Sequence, residues 1–134
     1  MSRESVDKVA QSAQKFRLVY YGKLDNRSER HLIMNYYDPN IQDLCEWNGH
    51  KLNYNGLQQY LSQLENTKHE IDSLDAQPLP GNEGSDSFIL VVHGKVTYND
   101  EHKREFYQRM IIRKEGNEDK YFVINDYYRW LSEP

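Results

Sequence analysis

The sequence predicts an α+β fold, with helices packed on one face of an antiparallel sheet. Two observations carry this. Apolar residues recur at i, i+3 and i+4 in the first half of the chain and at every second position in the second half. The helical segments come before the long strands, an order that gives segregated layers rather than alternating βαβ units. With 134 residues, the chain fits one domain, 1–134, and can bury about two-thirds of its unfolded surface.

Val6, Val9, Ala10, Ala13, Phe16 and Tyr20 follow the spacing of an amphipathic helix, which predicts helix 1 over about 4–21. Asn26 and Glu29 resemble a capping box opening a second helix, whose apolar face is Leu32, Ile33 and Tyr36. Pro39 ends it, because the residue before proline is pushed out of the α region. Asn48-Gly49 predicts a hairpin between 44–47 and 51–53, since both central positions of a type I′ turn need positive φ. A third helix follows an Asn55 cap, with Leu57, Tyr60, Leu61 and Leu64 on one face. Segments 70–78, 86–98, 104–113 and 120–131 read as strands rich in β-branched and aromatic residues. The stretches 99–102 and 116–119 read as hairpin loops between them.

Composition excludes several classes. Seventeen Lys and Arg against 21 Asp and Glu give a net charge of −4, which disfavours direct binding to a phosphate backbone. The single Cys45 excludes an internal disulfide and suggests a reducing compartment. The five His lie far apart, without the close spacing of a local metal motif, so no metal and no cofactor is expected. The polar start has no signal-peptide core, and no apolar run approaches the ~20 residues of a membrane helix. These features predict a soluble intracellular domain with no membrane contact.

Strand parity predicts two distinct sheet faces. One is Phe88, Leu90, Val92, Val96, Tyr98, Phe106, Met110, Ile112, Phe122, Ile124, Tyr128 and Trp130, nearly all apolar, and belongs under the helices. The other carries Ile89, Val91 and His93, then Tyr107, Arg109 and Ile111, then Val123, Asn125, Tyr127 and Arg129, with Lys95, Arg113 and Tyr121 at its margins. A merely solvated face is mostly Thr, Lys, Glu and Ser. This one mixes Ile, Val and Tyr with Arg, Asn and His over three successive strands, the composition of a protein interface. Scattered exposed apolar residues are common on ordinary surfaces, which is the blander alternative.

Six short motifs then occur in register over nearly the whole chain. They are Phe16…Tyr20-Tyr21, Trp47-Asn48-Gly49, Asp75-Ala76-Gln77-Pro78, Val91-Val92-His93-Gly94, Phe106-Tyr107-Gln108 and Asn125-Asp126-Tyr127-Tyr128-Arg129. Together they resemble the nuclear transport factor 2-like family. The resemblance implies a cone: a strongly bent antiparallel sheet wrapped around three helices, with dimers formed through the outer sheet face. Glu46-Trp47-Asn48-Gly49 and the run 90–96 are similar to the export branch of the family, the small subunits of the messenger RNA export receptor. That implies a heterodimer with the nuclear transport factor 2-like domain of a large nuclear RNA export factor. It also implies a location at the nucleus and nuclear pore with shuttling to the cytoplasm, nucleoporin Phe-Gly repeats met through the complex, and RNA met indirectly. Arg129 matches the family's Arg that meets an Asp of the large subunit.

Two alternatives come with the family. The homodimeric transport factor carries a GDP-bound small GTPase with carboxylates at the cavity mouth; the matching positions here are Asn48, Asn99 and Glu101, of which two lack a charge. Enzymes on the same cone place Asp, His or Tyr inside it, and the candidates are Asp126, His69, Tyr20 and Tyr36. The more ordinary reading is that Asp126 accepts structural hydrogen bonds and that His69 sits on a strand edge. Cys45 and the serines lack triad context and no Gly-rich phosphate loop is present. No catalytic residue is assigned, and Cys45 reads as a small core residue.

Overall fold

The computed structural model describes residues 3–79, 87–115 and 120–131. The chain runs α1 (Arg3–Leu24), a 3₁₀ helix (Arg30–Tyr36), β1 (Cys45–Trp47), β2 (His50–Leu52), α2 (Tyr54–Gln63), β3 (Thr67–Pro78), β4 (Phe88–Tyr98), β5 (His102–Glu115) and β6 (Lys120–Trp130). The six strands form one sheet in the order β2-β1-β6-β5-β4-β3. The expected α+β arrangement of three helices on one sheet is present. The sheet is antiparallel except where β1 runs parallel to β6, with Cys45, Glu46 and Trp47 opposite Asp126, Tyr127 and Tyr128.

The local chemistry explains the elements. Helix α1 buries Val9, Ala13, Phe16, Tyr20, Tyr21 and Leu24, one stripe at helical spacing. It continues past Gly22, whose α-carbon faces open space. Asn26 does not form a capping box: its Oδ1 takes the backbone N–H and hydroxyl of Ser28, closing a turn, and a seven-residue 3₁₀ helix starts at Arg30 instead. Asn48 and Gly49 adopt φ of 50° and 88°, as the predicted β1–β2 turn requires. Asn53, not Asn55, caps α2, its Oδ1 accepting from the Gly56 N–H at 2.8 Å. The 99–102 loop is also a turn with two left-handed residues, Asn99 and Asp100 at 52° and 58°. The predicted 116–119 loop lies outside the described residues.

Alternation holds without a break along β4, and the core row Phe88, Leu90, Val92, Val96 and Tyr98 is buried. Strand β6 breaks it. Ile111 pairs with Asn125 but Ile112 pairs with Val123, so Ile124 is an extra residue in a β-bulge. The bulge shifts the pleat by one position. Val123, expected on the outer face, is therefore fully buried in the core, as is most of Tyr121, while Phe122 and Ile124, expected in the core, stand half-buried on the outer face. A second bulge, at Asp72, bends β3 beside β4.

Candidate protein interface

The interior is built first, because it fixes the outer face. Trp47, Tyr128 and Phe106 stack, with ring centroids 4.4 and 5.4 Å apart, and His69 meets Phe106 edge-on at 4.9 Å. These rings occupy the space between helices and sheet. Asp126, fully buried beside them, is satisfied on both oxygens. Oδ2 accepts from the Tyr37 hydroxyl at 2.6 Å and Trp47 Nε1 at 2.9 Å, and Oδ1 accepts from Gln108 Nε2 at 2.9 Å. The network continues outward: the Tyr20 hydroxyl lies 2.6 Å from that of Tyr37, and the Tyr21 hydroxyl donates to Gln108 Oε1 at 2.6 Å. Burial raises the Asp126 carboxyl to about 6, a rise that the three donated hydrogen bonds oppose. Burial and the neighbouring Asp126 charge raise the Tyr37 phenol as well.

The other candidates for cone chemistry are also engaged. His69 Nδ1 lies 2.6 Å from Asp25 Oδ1, and its Nε2 lies 2.9 Å from the Tyr128 hydroxyl. Asp25 further takes the His69 backbone N–H at 2.7 Å and the Thr67 hydroxyl at 2.8 Å, tying the end of α1 to β3. Tyr20 is fully buried in the network just described, and Tyr36 is half-buried against Phe16. Cys45 is buried, which pushes its thiol well up, and its Sγ points at the Leu52 carbonyl oxygen. Among the described residues no group of three or more His, Cys, Asp or Glu converges to hold a metal ion, and no helix is long and apolar enough to cross a membrane.

On the other side of the sheet the pairing sets the predicted interface residues into cross-strand rows. Ile89, Ile111 and Asn125 form one; Val91, Arg109 and Tyr127 the next; His93, Tyr107 and Arg129 the third. All nine are exposed or half-buried. Of the ten expected residues the register brings these nine onto one surface and removes Val123. Phe122 and Ile124 take its place. Parity counting missed them because a bulge leaves no mark on simple alternation.

Within this surface the side chains organise one another. His93 and Tyr107 rings lie 5.2 Å apart, and Tyr107 and Tyr127 meet edge-to-face at 6.2 Å. The Arg109 guanidinium stands 5.7 Å over the Tyr127 ring, a cation–π distance. Arg113 lies over Phe122 at 5.4 Å and donates to Asp38 at 3.1 Å. At its β1 side the surface runs into a cleft of about 600 Å³ lined by Asp43, Glu46, Lys51, Arg109, Asn125 and Tyr127.

The comparisons with known proteins agree with this architecture. The profile of the nuclear transport factor 2 (NTF2) domain matches residues 12–130. The NTF2-related export protein of Caenorhabditis elegans is 32% identical over 130 residues, covering 93% of this chain and 90% of that protein. Nuclear transport factor 2 from Cryptosporidium parvum superposes with a TM-score of 0.78 at 24% identity, over 92% of this chain and 94% of its own. A chain of the Candida albicans Mtr2–Mex67 M domain complex superposes with a TM-score of 0.73 at 14% identity, over 94% and 98%. By its profile, by a relative sharing a third of its residues and by the shape of its sheet, this chain belongs to the nuclear transport factor 2 domain family.

Proposed function

We propose that this chain is the non-enzymatic small subunit of a heterodimeric nuclear mRNA export receptor. It binds and stabilises the NTF2-like domain of a large nuclear RNA export factor through the outer sheet face. The observation that carries the reading is that face: three strands of Ile, Val, Tyr and Arg whose outward residues are exposed or half-buried among the described residues. The likeness to an NTF2-related export protein, and to a chain solved in a complex of Mtr2 with the Mex67 M domain, supports the partner class. In this reading the complex works at the nucleus and nuclear pore and shuttles to the cytoplasm. It meets nucleoporin Phe-Gly repeats and RNA through the assembled receptor.

The GTPase-carrier alternative has less support. Asn48 and Asn99, at the positions of the carrier's carboxylates, hold left-handed turn conformations and accept backbone N–H groups of Trp130 and Asn66. The enzyme alternative loses its best base, since both oxygens of Asp126 and both ring nitrogens of His69 have protein partners. Co-expression with the large subunit's NTF2-like domain tests the proposal. The expected result is a one-to-one complex with a melting temperature above that of either part; two independent peaks with unchanged melting would overturn it.

A further inference from the structure

On the helical side of the sheet a hollow of about 300 Å³ opens between the 3₁₀ helix and α2. Its floor is Met34 and Leu61, both buried. Arg27, Arg30 and His31 line it from the 3₁₀ helix and the turn before that helix. Gln58 and Ser62, one helical turn apart on α2, line it from the other side. No carboxylate lines it.

The positive charge here is not cancelled from within. Arg27 and His31 are exposed, and among the described residues neither has a carboxylate within ion-pair reach. Of the acids near them, Asp25 turns its oxygens to His69 and Thr67, and Glu29 and Glu65 form no ion pair. After burial, the Arg27 charge is what most lowers the Arg30 guanidinium, ahead of the opposing Asp25. Two guanidiniums are thus held close at one concave spot of a chain whose net charge is −4. Arg30 is locked onto the carbonyls of Leu24, Leu64 and Glu65, so it supplies charge rather than a free fork. Ser62 already donates its hydroxyl to the Gln59 carbonyl at 2.7 Å. The donors left are the Arg27 fork, the His31 ring and the Gln58 amide, and they come from both sides of the hollow.

We propose that this hollow binds the phosphoryl group of a phosphorylated Ser or Thr in a partner's peptide segment, with a neighbouring apolar side chain resting on Met34 and Leu61. A carboxylate presents two oxygens in one plane. A phosphoryl dianion presents three in a tetrahedral array, so it can meet donors on both elements at once. A polynucleotide carries the same group, but the net charge of −4 repels a polyanion, and no Phe, Tyr or Trp lines the hollow for a base to stack on. The site lies on the helical side and does not depend on how the outer sheet face is used.

The test is a titration of the ¹⁵N-labelled full chain with a capped Leu-phosphoserine-Leu tripeptide, followed by amide shifts. Saturable shifts are expected at Arg27, His31 and Ser62. Arg27→Glu is expected to weaken binding at least about tenfold, the equivalent of one charge-assisted hydrogen bond lost. Lys8→Glu, an equal change in net charge toward the other end of α1, is expected to leave it within about twofold. Both substitutions are at exposed positions, and both variants should melt like wild type. No saturable shift at millimolar phosphopeptide, or equal weakening by Arg27→Glu and Lys8→Glu, overturns the site. Equal binding of the Leu-Ser-Leu or Leu-Glu-Leu tripeptide overturns the phosphoryl group as the ligand. Inorganic phosphate or a uridine tetranucleotide binding as tightly as the phosphopeptide overturns the peptide segment as its source.

Discussion

Trp47 Nε1 donates to Asp126 Oδ2 at 2.9 Å across the parallel β1–β6 pair, so a side-chain bond reinforces the joint where the short hairpin meets the long strands. The β1–β2 hairpin has three-residue strands and little ladder of its own. Its position depends on this bond and on the Trp47–Tyr128 stack.

Protonation of Asp126 therefore registers in stability. Its native pKa is about 6, against ~3.9 for an unfolded Asp. Between these values only the native state holds the proton, so stability contributed by this group is fully present near pH 4 and falls as pH rises through 6. The loss is on the order of 3 kcal/mol. Asp126→Asn removes the titration, and a flip of the Gln108 amide can satisfy the new NH₂ group. Urea unfolding at pH 5 and pH 7.5 should show a steeper decline for wild type than for Asp126→Asn; parallel profiles would remove Asp126 as the cause.

Gly94 faces the core opposite the β3 bulge, where an added Cβ would stand 2.0 Å from the Glu70 carbonyl oxygen and 2.9 Å from a Phe106 ring carbon. The obstacle is backbone, so β3 and β4 must part. Gly94→Ala is expected to cost about 3 kcal/mol or more. Gly22→Ala, on the exposed side of α1 with nothing within 4 Å, is expected to stabilise by about 0.5–1 kcal/mol. Denaturation midpoints of the two variants should move in opposite directions.

Arg30 is buried near Asp25, yet its guanidinium donates chiefly to backbone carbonyls. Its Nε donates to the Leu24 carbonyl at 2.7 Å, Nη1 to that of Leu64 at 2.7 Å and Nη2 to that of Glu65 at 2.9 Å. It joins the carboxyl ends of α1 and α2, where carbonyls lack helical partners. Desolvation lowers its pKa, though a guanidinium stays protonated. Lysine keeps the charge but not the planar fork, so Arg30→Lys should destabilise by about 2–4 kcal/mol. A denaturation curve matching wild type would show that the fork is dispensable.

Arg129 tests the interface. It is exposed on the outer face across from Tyr107. If a partner carboxylate meets it, Arg129→Ala should weaken binding by about 2–5 kcal/mol, and Arg129→Asp by more. Both variants should melt like wild type when alone, since the core lies on the opposite face. Titration against the large subunit's NTF2-like domain reads the effect, and unchanged binding by Arg129→Asp would take the residue out of the interface.

Much of this was legible because it is local. Asn48-Gly49 announces its turn, and period alone separates the helices from the strands. Period also sorts β4 into its two faces, and the sorting extends to β6 from Asn125 onward. What was not legible depends on distant partners. The 3₁₀ helix replaces an α-helix because Asn26 closes a turn on Ser28. The Asp25–His69–Tyr128 chain and the three carbonyls on Arg30 involve residues 34 to 59 positions apart for their longer links. Ile124 is the clearest case: nothing in a run of Tyr-Phe-Val-Ile-Asn says which residue the neighbouring strand will skip.

That skipped residue has a consequence for how such proteins change over evolutionary time. With Ile124 present, β6 runs in two phases, and the residues before it are inherited by the opposite layer from the one a continuous strand would give them. Losing that one codon would close the bulge and leave the faces as they are, because Val123 already pairs with Ile112 and Asn125 with Ile111. The contact surface thus survives a length change at this point, whereas in a strand of unbroken alternation the same loss turns every residue beyond it to the other layer.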